Sequence, residues 1–193
     1  MSILAVALAV SAVSYTPPPA IQHDAIRKIM CDQGQGTAFV IADGVLVSAE
    51  HVTENTGCFD LLTKQEIRTY HTDSLRDFSL SYMDTTGIVP MKYSCKRFRT
   101  GKSYYTFGYG AGRYMVNHLI GGKAYSPDDL SVGGQMGGWG GMRLLSGLMI
   151  GGQSGGPITD AKGIVHGINN VSNSYNIAYS YELADTVLCK RPR

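Results

Sequence analysis

The chain has 193 residues, of which 24 are glycine and 12 are tyrosine, and 17% of its side chains are charged. This charged fraction is below the ~25% usual in soluble domains, and the abundant glycine favours many short strands joined by tight turns. A formal net charge of only +2 argues against the strongly basic surface of a nucleic-acid-binding protein, so we expect no nucleic-acid partner.

The N-terminus holds an uncharged apolar run over residues 3–13. The run is shorter than the about 20 residues that span a bilayer. It fits the core of a secretory signal, with Ala12 and Ser14 as small residues at the cleavage positions. We predict a signal peptide over residues 1–14, a secreted or periplasmic location and no stable membrane anchor. Because no Lys or Arg precedes the run, two alternatives stay open: a buried first strand, or a polyprotein fragment whose membrane segment was cut away.

The first half of the remaining chain predicts one helix followed by strands. Apolar residues recur at near-helical spacing and predict a short amphipathic helix over residues 21–30. The dipeptide Asp43-Gly44 separates two β-rich runs and is a strong hairpin signal. The predicted strands are residues 37–42, 45–48, 58–63, 67–71 and 78–83.

The second half predicts further strands and a closing helix over residues 183–190. The glycine-rich stretch at 133–141 does not predict a phosphate-binding loop, since no GxGxxG joins a strand to a helix there. No CxxC or HExxH spacing occurs, so we expect no metal site and no cofactor. The predicted strands are residues 103–107, 113–120, 142–145, 157–159, 163–169 and 176–181.

The string at residues 151–157 places Ser154 among four glycines and a proline. Glycine lets the backbone pass close to a substrate, where its N–H groups can face a developing oxyanion beside a serine hydroxyl that attacks a carbonyl. A plain glycine-rich turn is the alternative reading of this string alone.

A serine hydroxyl needs a base, and two upstream residues have suitable settings. His51 lies near the end of residues 45–52, an apolar run that closes with a short polar turn. Asp77 begins an apolar/polar alternation at residues 77–80. Asp73 and Asp84 lack that context, so Asp77 is the predicted carboxylate.

These motifs, in the order His, Asp, Ser, resemble the trypsin-like (chymotrypsin-fold) serine peptidases, and the resemblance covers residues 31–189. The strand at 163–168 is similar to the one that lines the family's specificity pocket. The turn at 108–110 is similar to the one that opens its second barrel. The residues that carry the resemblance are Gly36-Thr37-Ala38-Phe39, Ser48-Ala49-Glu50-His51, Asp77-Phe78-Ser79-Leu80 and Gly152-Gln153-Ser154-Gly155-Gly156-Pro157.

The resemblance implies an all-β fold of two six-stranded antiparallel β-barrels with a short C-terminal helix. The first barrel would span residues 20–88, a linker 89–102, and the second barrel 103–193. It implies a monomeric serine endopeptidase acting on peptides or proteins through an acyl-enzyme. The catalytic residues would be His51, Asp77 and Ser154, with the backbone N–H groups of Gly152 and Ser154 as oxyanion hole.

Four cysteines can pair in three ways, and the resemblance implies the pairs Cys31–Cys58 and Cys95–Cys189. It also implies a specificity pocket with Leu148 as its floor and a wall over Asn169, Asn170 and Val171. Such a pocket has no carboxylate to offset the burial of an Arg or Lys side chain. We therefore expect cleavage after an apolar or uncharged polar residue, with Asn169 or Asn170 available to hydrogen-bond it.

Gln153 occupies the position where animal digestive enzymes carry an acidic residue that pairs with a freed N-terminus. We therefore expect activity without an activation cleavage, as in the compact bacterial and viral members. A second departure is Glu50, where alanine is common. Two alternatives stay open for the function: a viral protease that processes its own polyprotein, and an inactive protease-fold binding protein, although no triad residue is substituted.

Overall fold

The computed structural model describes residues 17–32, 34–54, 57–124, 142–172 and 177–190. The predicted signal peptide and the glycine-rich stretch at 133–141 lie outside these ranges. The described residues form twelve strands in two six-stranded antiparallel sheets, with very little helix. The predicted all-β fold class is confirmed.

The first sheet has the strand order β4-β1-β2-β3-β6-β5 and forms a half-barrel. The predicted turn at Asp43-Gly44 joins β2 to β3, with Gly44 at a φ of +70°. One short helix, α1 (Glu50–Thr53), follows β3. The strands are β1 (Ile26–Cys31), β2 (Gly34–Ala42), β3 (Val45–Ser48), β4 (Phe59–Asp60), β5 (Arg68–Asp73) and β6 (Phe78–Tyr82).

The second sheet closes into a barrel in the order β10-β11-β12-β9-β8-β7. Its closure comes from β10, which pairs with both β11 and β7. The strands are β7 (Ser103–Gly110), β8 (Arg113–Ala124), β9 (Arg143–Ser146), β10 (Pro157–Thr159), β11 (Val165–Ser172) and β12 (Ile177–Glu182).

The helix predicted over residues 21–30 is wrong. Only His23–Ala25 form a single 3₁₀ turn, and the residues after it are β1, which pairs with β2 and β4. Arg27 is buried in this strand and ion-paired with buried Asp60. The helical spacing of the apolar residues would place Arg27 on the solvent-exposed face of a helix. This spacing alone could not reveal that Arg27 is buried and that Asp60 neutralises its charge.

The closing helix predicted over residues 183–190 is also shorter than expected. Leu183–Asp185 form a 3₁₀ helix, and single turns follow up to Lys190. Both predicted disulfides, Cys31–Cys58 and Cys95–Cys189, are present.

The two sheets share the larger of two hydrophobic clusters that the described residues form. This cluster of buried residues includes Phe39 and Leu46 of the first sheet together with Phe107 and Tyr181 of the second. This shared core fixes the cleft between the sheets, where the site lies. Within the described ranges, no helix is long and apolar enough to cross a membrane.

Candidate active site

His51 lies in α1 and binds Asp77 through two atoms. Its backbone N–H donates to Asp77 Oδ1 at 2.8 Å, and its Nδ1 lies 2.7 Å from Asp77 Oδ2. Asp77 is 1% exposed, whereas the His51 side chain is 36% exposed. The carboxylate therefore fixes the imidazole from the buried side and leaves its other edge facing the cleft.

Asn170 holds the same carboxylate from the second barrel. Its Nδ2 donates to Asp77 Oδ2 at 2.7 Å and to Asp77 O at 3.0 Å, while its Oδ1 accepts from Tyr181 N at 3.1 Å. The Tyr181 hydroxyl donates to Leu75 O at 2.9 Å. Burial, and secondarily the Asp77 charge, raise the pKa of Tyr181, so this hydroxyl stays a neutral donor.

Ser154 and His51 line one cleft of about 170 Å³, together with Gly34, Gln35 and Val52. The Ser154 hydroxyl donates to Asn170 O at 2.7 Å. The fold thus gathers the three predicted catalytic residues around Asn170, which contacts both Asp77 and Ser154.

The loop around Ser154 has its carbonyl groups tied back into the protein. Gly152 O accepts from Thr37 Oγ1 at 2.8 Å, Ser154 O accepts from Thr37 N at 2.9 Å, and Gln153 O accepts from Gly156 N at 3.0 Å. Among the described residues, the N–H groups of Gly152 and Ser154 donate to no acceptor. Both are therefore available to a substrate oxyanion.

Two positions of this loop require glycine for two reasons. Their backbone has a positive φ, and neighbouring atoms leave no room for a Cβ. At Gly152 (φ +97°) an added Cβ would lie 2.4 Å from Tyr109 O. At Gly155 (φ +83°) it would lie 2.2 Å from both Ser48 Oγ and Thr37 O. A side chain at either position would push the serine loop away from its neighbours.

The residues predicted to line the specificity pocket differ from one another in burial. Leu148 is 51% exposed, whereas Asn169 and Asn170 are fully buried. The Asn169 amide donates to Thr106 Oγ1, and the Asn170 amide is bound to Asp77. The backbone of Val171 in β11 pairs with Tyr179 of β12, and the side chain of Val171 lies outside the described atoms. Both amide nitrogens are thus engaged within the protein, whereas Asn169 Oδ1 has no hydrogen-bond partner among the described atoms.

Two residues at the site carried no functional prediction. Thr37 bridges Gly152 and Tyr109, since its hydroxyl also accepts from Tyr109 N at 3.0 Å. Asn117 contacts the loop before Ser154. The motif around Thr37 was visible in the sequence, but nothing near Asn117 marks that residue. Among the described side chains, no three His, Cys, Asp or Glu residues are placed to hold a metal ion.

Searches by sequence find no relative, since no protein-family model and no curated protein matches the chain. Solved structures do match. The active form of the Rv3671c protease from M. tuberculosis has a TM-score of 0.70 at 17% identity, covering 94% of this chain and 89% of the other. The fold is that of the trypsin-like serine proteases.

Two further proteases share this fold. The HtrA-type protease AlgW, solved with a tripeptide, has a TM-score of 0.68 at 20% identity, covering 82% of this chain and 56% of its own. A serine endoprotease from Yersinia pestis has a TM-score of 0.68 at 15% identity, covering 87% of this chain and 64% of its own.

Proposed function

We propose that the chain is a serine endopeptidase that cleaves peptide bonds through an acyl-enzyme. The observation that carries the proposal is the buried Asp77 carboxylate 2.7 Å from His51 Nδ1, in a cleft that His51 and Ser154 line together. The trypsin-like fold supports it, because this fold brings the same three residue types together at the junction of two barrels.

In the proposed mechanism the Ser154 hydroxyl leaves Asn170 O and attacks the scissile carbonyl carbon, while His51 Nε2 takes its proton. Asp77 holds the imidazole in the required tautomer and stabilises the imidazolium. The N–H groups of Gly152 and Ser154 bind the oxyanion. The C–N bond then breaks as His51 returns the proton to the leaving amine. Water repeats the cycle, with His51 again as base, and releases the acyl group.

Removal of the nucleophile is the decisive test. Ser154→Ala should abolish labelling by a fluorophosphonate probe and lower peptide cleavage by a factor on the order of 10⁶, because the triad acts as a unit. Ser103→Ala, a serine of β7 outside the cleft, is the matched control and should be labelled normally. Near-normal turnover of Ser154→Ala would overturn the proposed function.

The substrates would be peptides or proteins, with an apolar or uncharged polar residue before the scissile bond. Among the predicted pocket residues whose side chains are described, Leu148 is uncharged and reaches solvent. A buried Arg or Lys of the substrate would need a carboxylate partner there. A peptide-library profile should show this preference. A dominant preference for Arg or Lys would contradict the pocket assignment.

We also propose that the protein works outside the reducing cytosol. Its two disulfides support this, because structural disulfides persist in oxidising compartments. Mass spectrometry of the protein from its native source, alkylated without reduction, should find no free thiol. Four alkylated cysteines would reject the proposed location.

A further inference from the structure

Gln153, the residue immediately before Ser154, is buried and accepts two hydrogen bonds through one atom. It is 1% exposed, and its Oε1 accepts from Ile150 N at 2.9 Å and from Asn117 Nδ2 at 3.0 Å. Its Nε2 has no partner among the described atoms. Both neighbours of the oxygen are donors, so a flipped amide would set N–H against N–H. The oxygen is therefore the end of this side chain that holds the loop.

Asn117, on β8, fastens the same loop at a second point. Its Nδ2 also donates to Leu148 O at 2.6 Å, so one amide group reaches both ends of the segment from Leu148 to Gln153. Within the segment, Gln153 N donates to Ile150 O at 3.0 Å and closes a turn. On the first-sheet side, Thr37 fixes Gly152 O. The segment is thus held between a side chain of each barrel.

We propose that Asn117 and Gln153 are positioning residues. They fix the direction in which the oxyanion-hole N–H groups of Gly152 and Ser154 point. This inference rests on the proposed function. The glycines at 151 and 152 add conformational freedom to the backbone, so contacts from outside the segment are needed to hold the Gly152 N–H group in one direction. The hydrogen bonds of the Asn117 and Gln153 side chains hold the segment with uncharged groups. On this inference, the hole needs no ion pair with a freed N-terminus.

The main test compares Asn117→Ala with Val116→Ala, the adjacent residue on the opposite face of β8. Asn117→Ala should lower kcat by about tenfold to hundredfold, the scale expected when an oxyanion donor is displaced, with KM changed less than about twofold. A peptide boronic acid, which forms a tetrahedral adduct on Ser154, should lose affinity by the same factor as kcat/KM. Val116→Ala should keep the wild-type values of kcat, KM and boronate affinity.

A second variant, Asn117→Asp, tests the inference through the pH dependence of kcat. A purely structural role of Asn117 would not change this pH dependence. Its carboxylate would face two acceptors, Leu148 O and Gln153 Oε1, whereas the protonated acid can donate to one of them. The kcat of Asn117→Asp relative to wild type should therefore rise as the pH falls through the carboxyl range, while that of Asn117→Ala stays flat.

Provided that the wild-type chain is labelled at Ser154, two outcomes would overturn this inference without affecting the proposed function. One is a wild-type kcat in Asn117→Ala. The other is a ratio of Asn117→Asp kcat to wild-type kcat that does not change with pH. A wild-type chain that is neither labelled nor active would overturn the proposed function, and this inference with it.

Discussion

Asn170 contacts both the carboxylate and the serine of the candidate triad through different atoms. Its side-chain amide donates to Asp77, and its backbone carbonyl accepts from Ser154. Only the amide depends on the identity of the residue. A substitution there should weaken the support of Asp77 while the resting contact of Ser154 persists.

We expect Asn170→Ala to lower kcat/KM by about tenfold to hundredfold, because hydrogen bonds to a charged group contribute about 1.5–3 kcal/mol. Steady-state kinetics with one peptide substrate would measure this. Asn170→Thr, whose hydroxyl can still donate, should retain more activity than the alanine variant. Equal activity of Asn170→Ala and wild type would show that Asp77 needs no such support.

Short motifs in the sequence mark candidate residues, whereas residues that act across the fold carry no such mark. His51, Asp77 and Ser154 each lie in a recognisable short string. Thr37 and Asn117 act on partners far along the chain: the Thr37 hydroxyl binds Gly152 O at a separation of 115 residues. Only strand pairing, which no short window encodes, brings such residues together.

At the scale of single elements, β1 shows where periodicity misleads. Its buried Arg27 is neutralised by Asp60 of β4, which also accepts from Thr63 N and Oγ1. Burial by itself would raise the pKa of Asp60, but the hydrogen bonds from Arg27 and Thr63 outweigh it and hold that pKa below its ordinary value of 3.8. The remaining strands were predicted within a few residues, because their ends carry turn residues.

Asp60→Asn should destabilise the fold by about 3–5 kcal/mol at pH 7, since it leaves the Arg27 charge buried without its partner. The folded-state pKa lies below the unfolded value of 3.8, so the pair's contribution is complete above that value and is lost as the pH falls through the folded pKa. Urea unfolding of wild type and variant should therefore differ less at pH 3 than at pH 7.

Glu66→Gln is the control for this comparison, because it neutralises a carboxylate in an exposed arginine pair with Arg68. Surface pairs contribute little to stability, so its unfolding free energy should stay close to wild type at both pH values. A loss in Glu66→Gln as large as that in Asp60→Asn would show that burial of the pair is not the cause.

For the whole molecule, the two disulfides close loops of different length. Cys31–Cys58 closes a separation of 27 residues and Cys95–Cys189 one of 94. In the loop-entropy model the longer loop stabilises more, about 4–5 kcal/mol against about 3–4 kcal/mol. Their pairing was predicted from the resemblance, because four cysteines alone leave three pairings open.

Denaturant unfolding of the double variants Cys95→Ala/Cys189→Ala and Cys31→Ala/Cys58→Ala would measure these contributions separately. We expect both to lose several kcal/mol, with the first pair losing about 1 kcal/mol more. The reverse order would indicate that native packing around Cys31 and Cys58, rather than loop length, decides the difference.

Cys95 precedes the first strand of the closed barrel and Cys189 follows its last, so the polypeptide between them is a covalent ring. Ser154 belongs to this ring, whereas His51 belongs to the smaller ring that Cys31–Cys58 closes, and Asp77 lies in the chain between the two rings. A protease that cuts once anywhere inside the ring, this one acting on itself included, would release no fragment. The nicked molecule would migrate as one species on a denaturing gel and separate into two only after its disulfides are reduced.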